Sequence, residues 1–252
     1  MKRKISTIFI ALAALLILAS IIIGVFLDGI VKKTVETYGS RLTRASVAMD
    51  AVHLSLLTGS ARIKGLVVGN PGGYNTPHAI SVGTIAVGVD PFTVFSKKIV
   101  IRSIRLESPD IIFEGGLGGN NLSQILDNVD SSGGGSGTLS TNAATQPESQ
   151  RKYEVDDLRV TGAKVQVVLT GMGQPQEITL PEIHLTDLGK GSEGITAAEL
   201  TRSLLSAIDS ETIEMVATDA VRLGKNAATL KQAGENAGKQ ILGNTFSNWL
   251  NR

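Results

Sequence analysis

The chain has 252 residues, with 24 Lys and Arg against 23 Asp and Glu. The net charge of +1 excludes the basic footprint of a nucleic-acid-binding protein. Cysteine is absent, which excludes disulfides, thiolate metal sites and a lipid-bearing cysteine anchor. Aromatics are only 4% of residues and glycine is abundant at 28, so Val, Ile and Leu supply the apolar mass, and strands with turns are favoured over an aromatic core.

The 23 residues from Ile5 to Leu27 carry no charge and follow Lys2, Arg3 and Lys4. As a helix they would span roughly 34 Å, enough for a hydrocarbon core of about 30 Å. The run is longer than the apolar region of a secretory signal. Its one small-residue exit, Leu18-Ala19-Ser20, leads into Ile21-Ile22-Ile23, so it reads as an uncleaved anchor. The flanking cations favour a cytoplasmic N-terminus; Lys32, Lys33, Arg41 and Arg44 on the far side are offset by Asp28 and Glu36. The expected division is a tail over 1–4, a span over 5–27, a juxtamembrane helix over 28–44, a β-rich domain over 45–190 and a helical region over 191–252.

Helical spacing of Ile30, Val31, Val35 and Tyr38 predicts a helix from Asp28 that Gly39 would stop. From Ala45 the period becomes two: Val47 to Leu56 and Arg62 to Gly69 read as a hairpin around Thr58-Gly59-Ser60. Asn70-Pro71-Gly72-Gly73 is turn chemistry. Ile80 to Asp90 and Lys98 to Glu107 form the next pair, connected through Pro91 to Phe95, and Asp110 to Glu114 follows the break at Pro109. A short helix over Asn120 to Val129 would be capped by Asn120 or Asn121. Ser131 to Gln150, rich in Gly, Ser, Thr and Ala, is expected to be a flexible loop. Strands are expected over Tyr153–Val160, Ala163–Thr170 and Glu177–Leu185, with a hairpin turn at 171–175. Thr196 and Glu199 form a capping-box pattern that opens an amphipathic helix to about Gly224, and a second helix is expected from about Asn226, carrying Trp249.

One pattern recurs in the strands: apolar, two residues, apolar, one residue, apolar. It occurs as Met49-Val52-Leu54, Ile63-Leu66-Val68, Val82-Ile85-Val87, Ile101-Ile104-Leu106 and Val155-Leu158-Val160. The spacing of three puts the first side chain on the wrong face unless a bulge intervenes, and Gly65 and Gly83 stand where a bulge is easy.

Catalytic chemistry is not written in these residues. His53, His78 and His184 have no metal-ligand spacing to one another. Gly116-x-Gly118 fails as a dinucleotide fingerprint at Asn121, and there is no phosphate loop, nucleophile elbow or calcium loop. The acid pairs Asp156-Asp157 and Glu107/Asp110 read as solvated positions. The chain is therefore expected to be no enzyme and to need no cofactor or metal.

The order of features resembles the N-terminal part of the AsmA family of bacterial envelope proteins. The likeness lies in the single N-terminal apolar helix, then Val47-x-Met49-x-x-Val52-x-Leu54 through Ile63-x-Gly65-Leu66-x-Val68-Gly69-Asn70-Pro71-x-Gly73-Tyr74, then Ile101-x-x-Ile104-x-Leu106-x-x-Pro109 and Gly119-Asn120-Asn121-Leu122. Leu180-Pro181-Glu182-Ile183-His184-Leu185 is similar to a feature of short members. The resemblance implies an inner-membrane anchor and a periplasmic β-rich domain with a curved antiparallel sheet of the AsmA/chorein type, related to TamB and the bridge-like lipid-transfer proteins. This chain departs from it in being short and in its helical final third, so the expected fold is α+β, that sheet with C-terminal amphipathic helices. The sheet, at most about nine strands, is too short to cross a periplasm alone. An apolar groove that handles phospholipid would be lined by Ile85, Val87, Val89, Ile104 and Leu106 and would begin beside Asp28 to Arg44. The alternatives are a closed core of the same residues, a membrane-tethered scaffold whose C-terminal helices dock an envelope protein, and a hydrolase with an unrecognised site.

Overall fold

The computed structural model describes residues 26–55, 58–116, 119–133, 151–169, 175–191 and 193–222. The expected anchor, apart from Phe26 and Leu27, the greater part of the flexible loop and the second C-terminal helix fall outside them. Among the described residues no helix is long and apolar enough to cross a membrane. Among the described residues three α-helices and one mixed sheet make an α+β fold. Helix α1 covers residues 26–43, α2 is Asn121–Gly133 and α3 is Ala197–Arg222.

The sheet has 11 strands: β1 (Val47–Ala48), β2 (Ala51–Ser55), β3 (Ser60–Val68), β4 (Ile80–Val89), β5 (Lys98–Glu107), β6 (Asp110–Gly116), β7 (Gly119–Asn120), β8 (Lys152–Thr161), β9 (Lys164–Leu169), β10 (Gln176–Thr179) and β11 (Ile183–Leu188). The excess over the expected count arises because two expected strands, Val47 to Leu56 and Glu177 to Leu185, are each broken in two and the short β7 is additional. The registers show that these breaks belong together. Val47 pairs with Val68 and Ala51 with Lys64, so β1 and β2 are one ribbon interrupted at Met49-Asp50. Leu106 faces Ile85 and Ile111 faces Ile80, so β5 and β6 run on through Ser108-Pro109 along β4. Glu107 faces Thr161 and Asp110 faces Lys164, so β8 and β9 are interrupted at the same level, at Gly162-Ala163. Ile178 faces Val165 and Ile183 faces Val160, which carries β10 and β11 through Leu180-Pro181-Glu182.

The result is a curled sheet of six bent ribbons creased along one line. At the crease Gly65, Ser108 and Gly162 take positive φ of 60°, 48° and 64°. Pro109 and Pro181 also sit there, where the ladder has no use for an N–H. Each ribbon changes its inward parity by one residue in crossing: Val52 to Met49, Ile63 to Leu66, Ile85 to Val82, Leu106 to Ile111, Val160 to Ala163 and Ile183 to Leu180. All twelve are buried or half-buried on the apolar side. The recurring apolar spacing is thus the mark of this parity change in β1–β4. In β5 and β8 it marks a second irregularity nearer the strand starts. There Gly88 faces Ser103 while Val89 faces Ile101, and Asp187 of the neighbouring β11 has φ of 56°.

The sheet is mixed, which corrects the antiparallel expectation. The β5–β6 and β8–β9 ribbons pair in parallel. Their connection passes through β7, α2 and the segment after it, a crossover long enough to return the chain in the same direction.

Helix α1 does not stop at Gly39. A Cβ there would press at 3.3 Å on the Val47 methyls, so the small residue allows close packing. Thr43 Oγ donates to Gly39 O at 2.8 Å, and Arg44, with φ of 50°, turns the chain out of the helix. Four α1 side chains at a spacing of four face the β1–β2 edge. Leu54 N donates to Asp28 at 2.9 Å, Lys32 Nζ to Asp50 O at 3.1 Å, Met49 N to Glu36 at 3.0 Å and Val47 N to Ser40 at 2.9 Å. Side chains occupy edge groups that would otherwise offer a pairing template. In α2, Asn120 is the cap, its side chain accepting from Ser123 N at 2.9 Å, and the helix runs to Gly133, past the expected Val129. In α3 the capping box forms as expected: Thr196 N donates to Glu199 at 2.7 Å and Glu199 N to Thr196 Oγ at 3.1 Å.

The crease has a direct test. A Cβ on Gly65 would fall inside the Asp50 carboxylate at a φ of 60°, whereas nothing lies within 4 Å of a Cβ on Gly83. Gly65→Ala is expected to cost about 2 kcal/mol or more from backbone strain and clash, while Gly83→Ala stays within about 1 kcal/mol of the native chain. Urea titration of the two variants in detergent would measure this; equal effects would refute a crease that depends on backbone geometry.

Candidate functional site

The registers place apolar side chains in transverse rows on one face. Ile63, Ile85, Leu106, Val160 and Ile183 lie opposite one another across five strands. Ala61, Val87, Ile104, Leu158 and Leu185 form the next row, and Val89, Ile101, Val155 and Leu188 the third. The five residues expected to line a groove are therefore adjacent: Ile85 pairs with Leu106 and Val87 with Ile104, with Val89 one step further on. Ile85 and Leu106 are buried, while Val87, Val89 and Ile104 are half-buried and pack against the same core.

Cover over this face is uneven. On the β6–β9 side of the crease Ile111, Phe113 and Val165 are fully buried, and Leu122, Ile125 and Val129 of α2 join the same cluster. Ile208, Ile213 and Val216 of α3 also lie in it. On the other side Ile101, Leu158 and Val155 are also buried, but Ile99, Ile104, Val87, Val89, Leu185 and Leu188 around them keep solvent contact.

The opposite face is polar. His53, Arg62, Ala86, Arg105, Arg159 and His184 follow one another across six strands. A shallow depression of about 300 Å³ there is lined by Arg62, Lys64, Thr84, Ala86, Arg105 and Glu107. Each histidine has a carboxylate neighbour that its sequence position did not reveal: Asp28 at 3.8 Å from His53, Asp110 at 3.1 Å from His78 and Asp157 at 2.7 Å from His184. His53 and His184 are exposed, as alternation predicts. The His184 hydrogen bond, with help from Arg159, holds the Asp157 carboxyl below its ordinary range. Of the two acid pairs, Asp156 and Glu107 point to solvent, while Asp157 and Asp110 are taken up by these histidines. Among the described residues no group of three or more His, Asp or Glu could hold a metal ion.

Buried polar groups gather where the two most motif-like blocks meet. Asn121, fully buried, donates to Asn70 Oδ1 at 2.8 Å and to Ile112 O at 2.7 Å, and accepts from Glu114 N at 2.9 Å. Asn70 in turn donates to Thr76 O at 2.7 Å. The Glu114 carboxylate accepts from Asn75 N, Thr76 N at 2.8 Å and Thr76 Oγ at 2.7 Å. These bonds close a ring that ties the 70–76 turn to β6 and the start of α2. Burial raises the Glu114 pKa, but the Asn75 and Thr76 hydrogen bonds outweigh it and hold the carboxyl below its usual value. Deeper in, Ser123 Oγ donates to Asp209 at 2.9 Å, joining α2 to α3. Desolvation pushes Asp209 up to about 6 against the lowering pull of Ser123 and Asn120, and among the described residues its other oxygen has no hydrogen-bond partner. No signal in the sequence singled out Asp209; it falls on the inward stripe of α3 beside Ile208 and Thr212, where a charged residue is out of place.

The family model of the AsmA family matches residues 1–233 of the chain. No curated protein and no solved structure matches it.

The polar ring and Asp209 each generate an expectation. Asn121→Ala removes one buried and two part-buried hydrogen bonds and strands their partners, so a loss of roughly 2–4 kcal/mol is expected in urea titration. A loss below about 1 kcal/mol would mean the ring does not hold the turn. Asp209 has a folded-state pKa raised above its unfolded value of 3.8. Its stabilising share is fully present below 3.8 and is lost as pH rises through about 6. At about 1.4 kcal/mol per pH unit the loss is on the order of 3 kcal/mol. Asp209→Asn is expected to flatten the decline in thermal midpoint between about pH 4 and 8; an unchanged slope would refute the assignment.

Proposed function

This chain belongs to the AsmA family, and from that premise we propose that it is a non-enzymatic envelope protein that handles phospholipid on the apolar face of its curled sheet. On this reading Ile5 to Leu27 tether it to the bacterial inner membrane, with the N-terminus cytoplasmic and the sheet in the periplasm. Its cellular contribution is lipid handling or maintenance of the outer membrane. The observation that carries the reading is the set of transverse apolar rows, whose members Val87, Val89 and Ile104 keep solvent contact. An acyl chain lying across them would exchange water for apolar contact, worth about 25 cal/mol per Å² of surface removed from water.

The polar face supplies an internal control. A photoreactive phenylalanine analogue would be placed at Val87 or Ile104 in the full chain, and at Thr84 on the other face, in cells labelled with radioactive phosphate. Labelled phospholipid adducts are expected at Val87 and Ile104 and absent at Thr84. Adducts missing from all three, or equally present at Thr84, would sink the proposal.

A further inference from the structure

The β4–β5 connection presents two phenylalanines to solvent: Phe92 is 91% exposed and Phe95 is 90% exposed. Its backbone is nevertheless tightly held. The Asp90 carboxylate caps a single 3-10 turn over Pro91–Thr93 by accepting from Phe92 N at 3.0 Å, and Arg102 donates to the same carboxylate at 2.8 Å. Thr93 Oγ donates to Asp90 O at 2.8 Å and accepts from Val100 N at 3.0 Å. All these polar groups turn back onto the strands while both rings are left outside. A turn secured in this way displays its aromatic rings as a fixed surface.

Its position at one end of the sheet gives the display a meaning. Val89 N donates to Gly59 O at 2.6 Å, and the Gly59 position abuts Pro91, so the β2–β3 turn lies against the loop. That turn closes β2, whose Leu54 N is held by Asp28 at the start of α1. Phe26, 71% exposed, and Ile30 are therefore at the same end as Phe92 and Phe95. The chain before Phe26 is the uncharged run from Ile5. The cations Lys97 and Arg151 stand one residue before the neighbouring strands β5 and β8 at this end, which are joined there by the bond from Lys152 N to Lys97 O at 3.0 Å. Both are exposed, and among the described residues neither has an ion-pair partner.

We propose that the Phe92–Phe95 loop is a second membrane contact, inserting into the interface of the bilayer that Ile5 to Leu27 span, with Lys97 and Arg151 at the level of anionic headgroups. The inference rests on the tethered reading above. It adds that the domain stands on the membrane by this end of its sheet. Aromatic rings suit the headgroup boundary, and flanking cations gain from an anionic surface.

The test uses the full chain with Trp249→Phe and one new tryptophan at a time, Phe95→Trp, Leu16→Trp or Thr84→Trp. Each is reconstituted in vesicles of phosphatidylethanolamine and phosphatidylglycerol carrying shallow acyl bromines. Quenching of Phe95→Trp several-fold above Thr84→Trp is expected, alongside quenching of Leu16→Trp. If Leu16→Trp is quenched and Phe95→Trp behaves like Thr84→Trp, the contact is refuted and the tether stands. If Leu16→Trp is not quenched, the tether fails and the proposal with it. Shielding of Phe95→Trp that grows with protein density but is insensitive to bromine would assign the rings to a second copy of the chain and overturn the membrane contact.

Discussion

Everything in this sheet depends on one constraint: each ribbon must shift its side-chain parity by one residue at the same level. Side chains alternate with a period of two, so a ribbon that failed to shift would send half of its apolar residues to the polar face. The shift is made in different ways. Gly65 and Gly162 accept a left-handed backbone, Ser108 is held in one before Pro109, and Pro181 ends the pairing outright. Because Ser108 and Gly162 face each other in parallel register, with Ser108 N donating to Thr161 O at 2.8 Å, the central ribbons bend as a pair. A crease shared by all ribbons lets one continuous apolar surface fold over the helices.

The helices are secured by polar groups at places where apolar packing alone would leave the geometry loose. The stripe Asp28, Lys32, Glu36 and Ser40 docks α1 to the sheet edge in one register, since a slip by one residue would leave its partners unmet. The ring through Asn70, Asn121 and Glu114 fixes where α2 begins. Buried and half-buried polar groups of this kind contribute little net stability when satisfied and cost more when orphaned, so they select a single arrangement. Asp209 is the exception, because one of its oxygens is orphaned and desolvation opposes its charge.

Much of this was legible in local pattern. The strand periods, the α3 capping box, a cap at Asn120 or Asn121 and a bulge at Gly65 or Gly83 follow from spacing and residue type; the structure selects Asn120 and Gly65. The parallel seam between the β5–β6 and β8–β9 ribbons was not, because partner choice across a long crossover is a non-local event that no single window records. Gly39 misled as a helix stop because its smallness serves packing against Val47. The spacing of four from Asp28 to Ser40 was available in the sequence, but it reads equally as a solvated face until an edge strand is placed beside it. Phe92 and Phe95 stand in the sequence only as part of a strand connection, and the packed structure shows both rings exposed.

The gradient of cover connects the two ends of the argument. Helices α2 and α3 seal the apolar face on the far side of the crease, where Ile111, Phe113 and Val165 lose all solvent. On the other side Ile101, Leu158 and Val155 are still buried, while Val87, Val89, Ile104, Leu185 and Leu188 beside them keep solvent contact, and beyond Val89 stand the two exposed phenylalanines. On the reading proposed above, that arrangement puts the open end of the apolar face next to the bilayer. An acyl chain would then pass from membrane to sheet between Phe92 or Phe95 and Val87 or Ile104 without crossing the charged row of the opposite face.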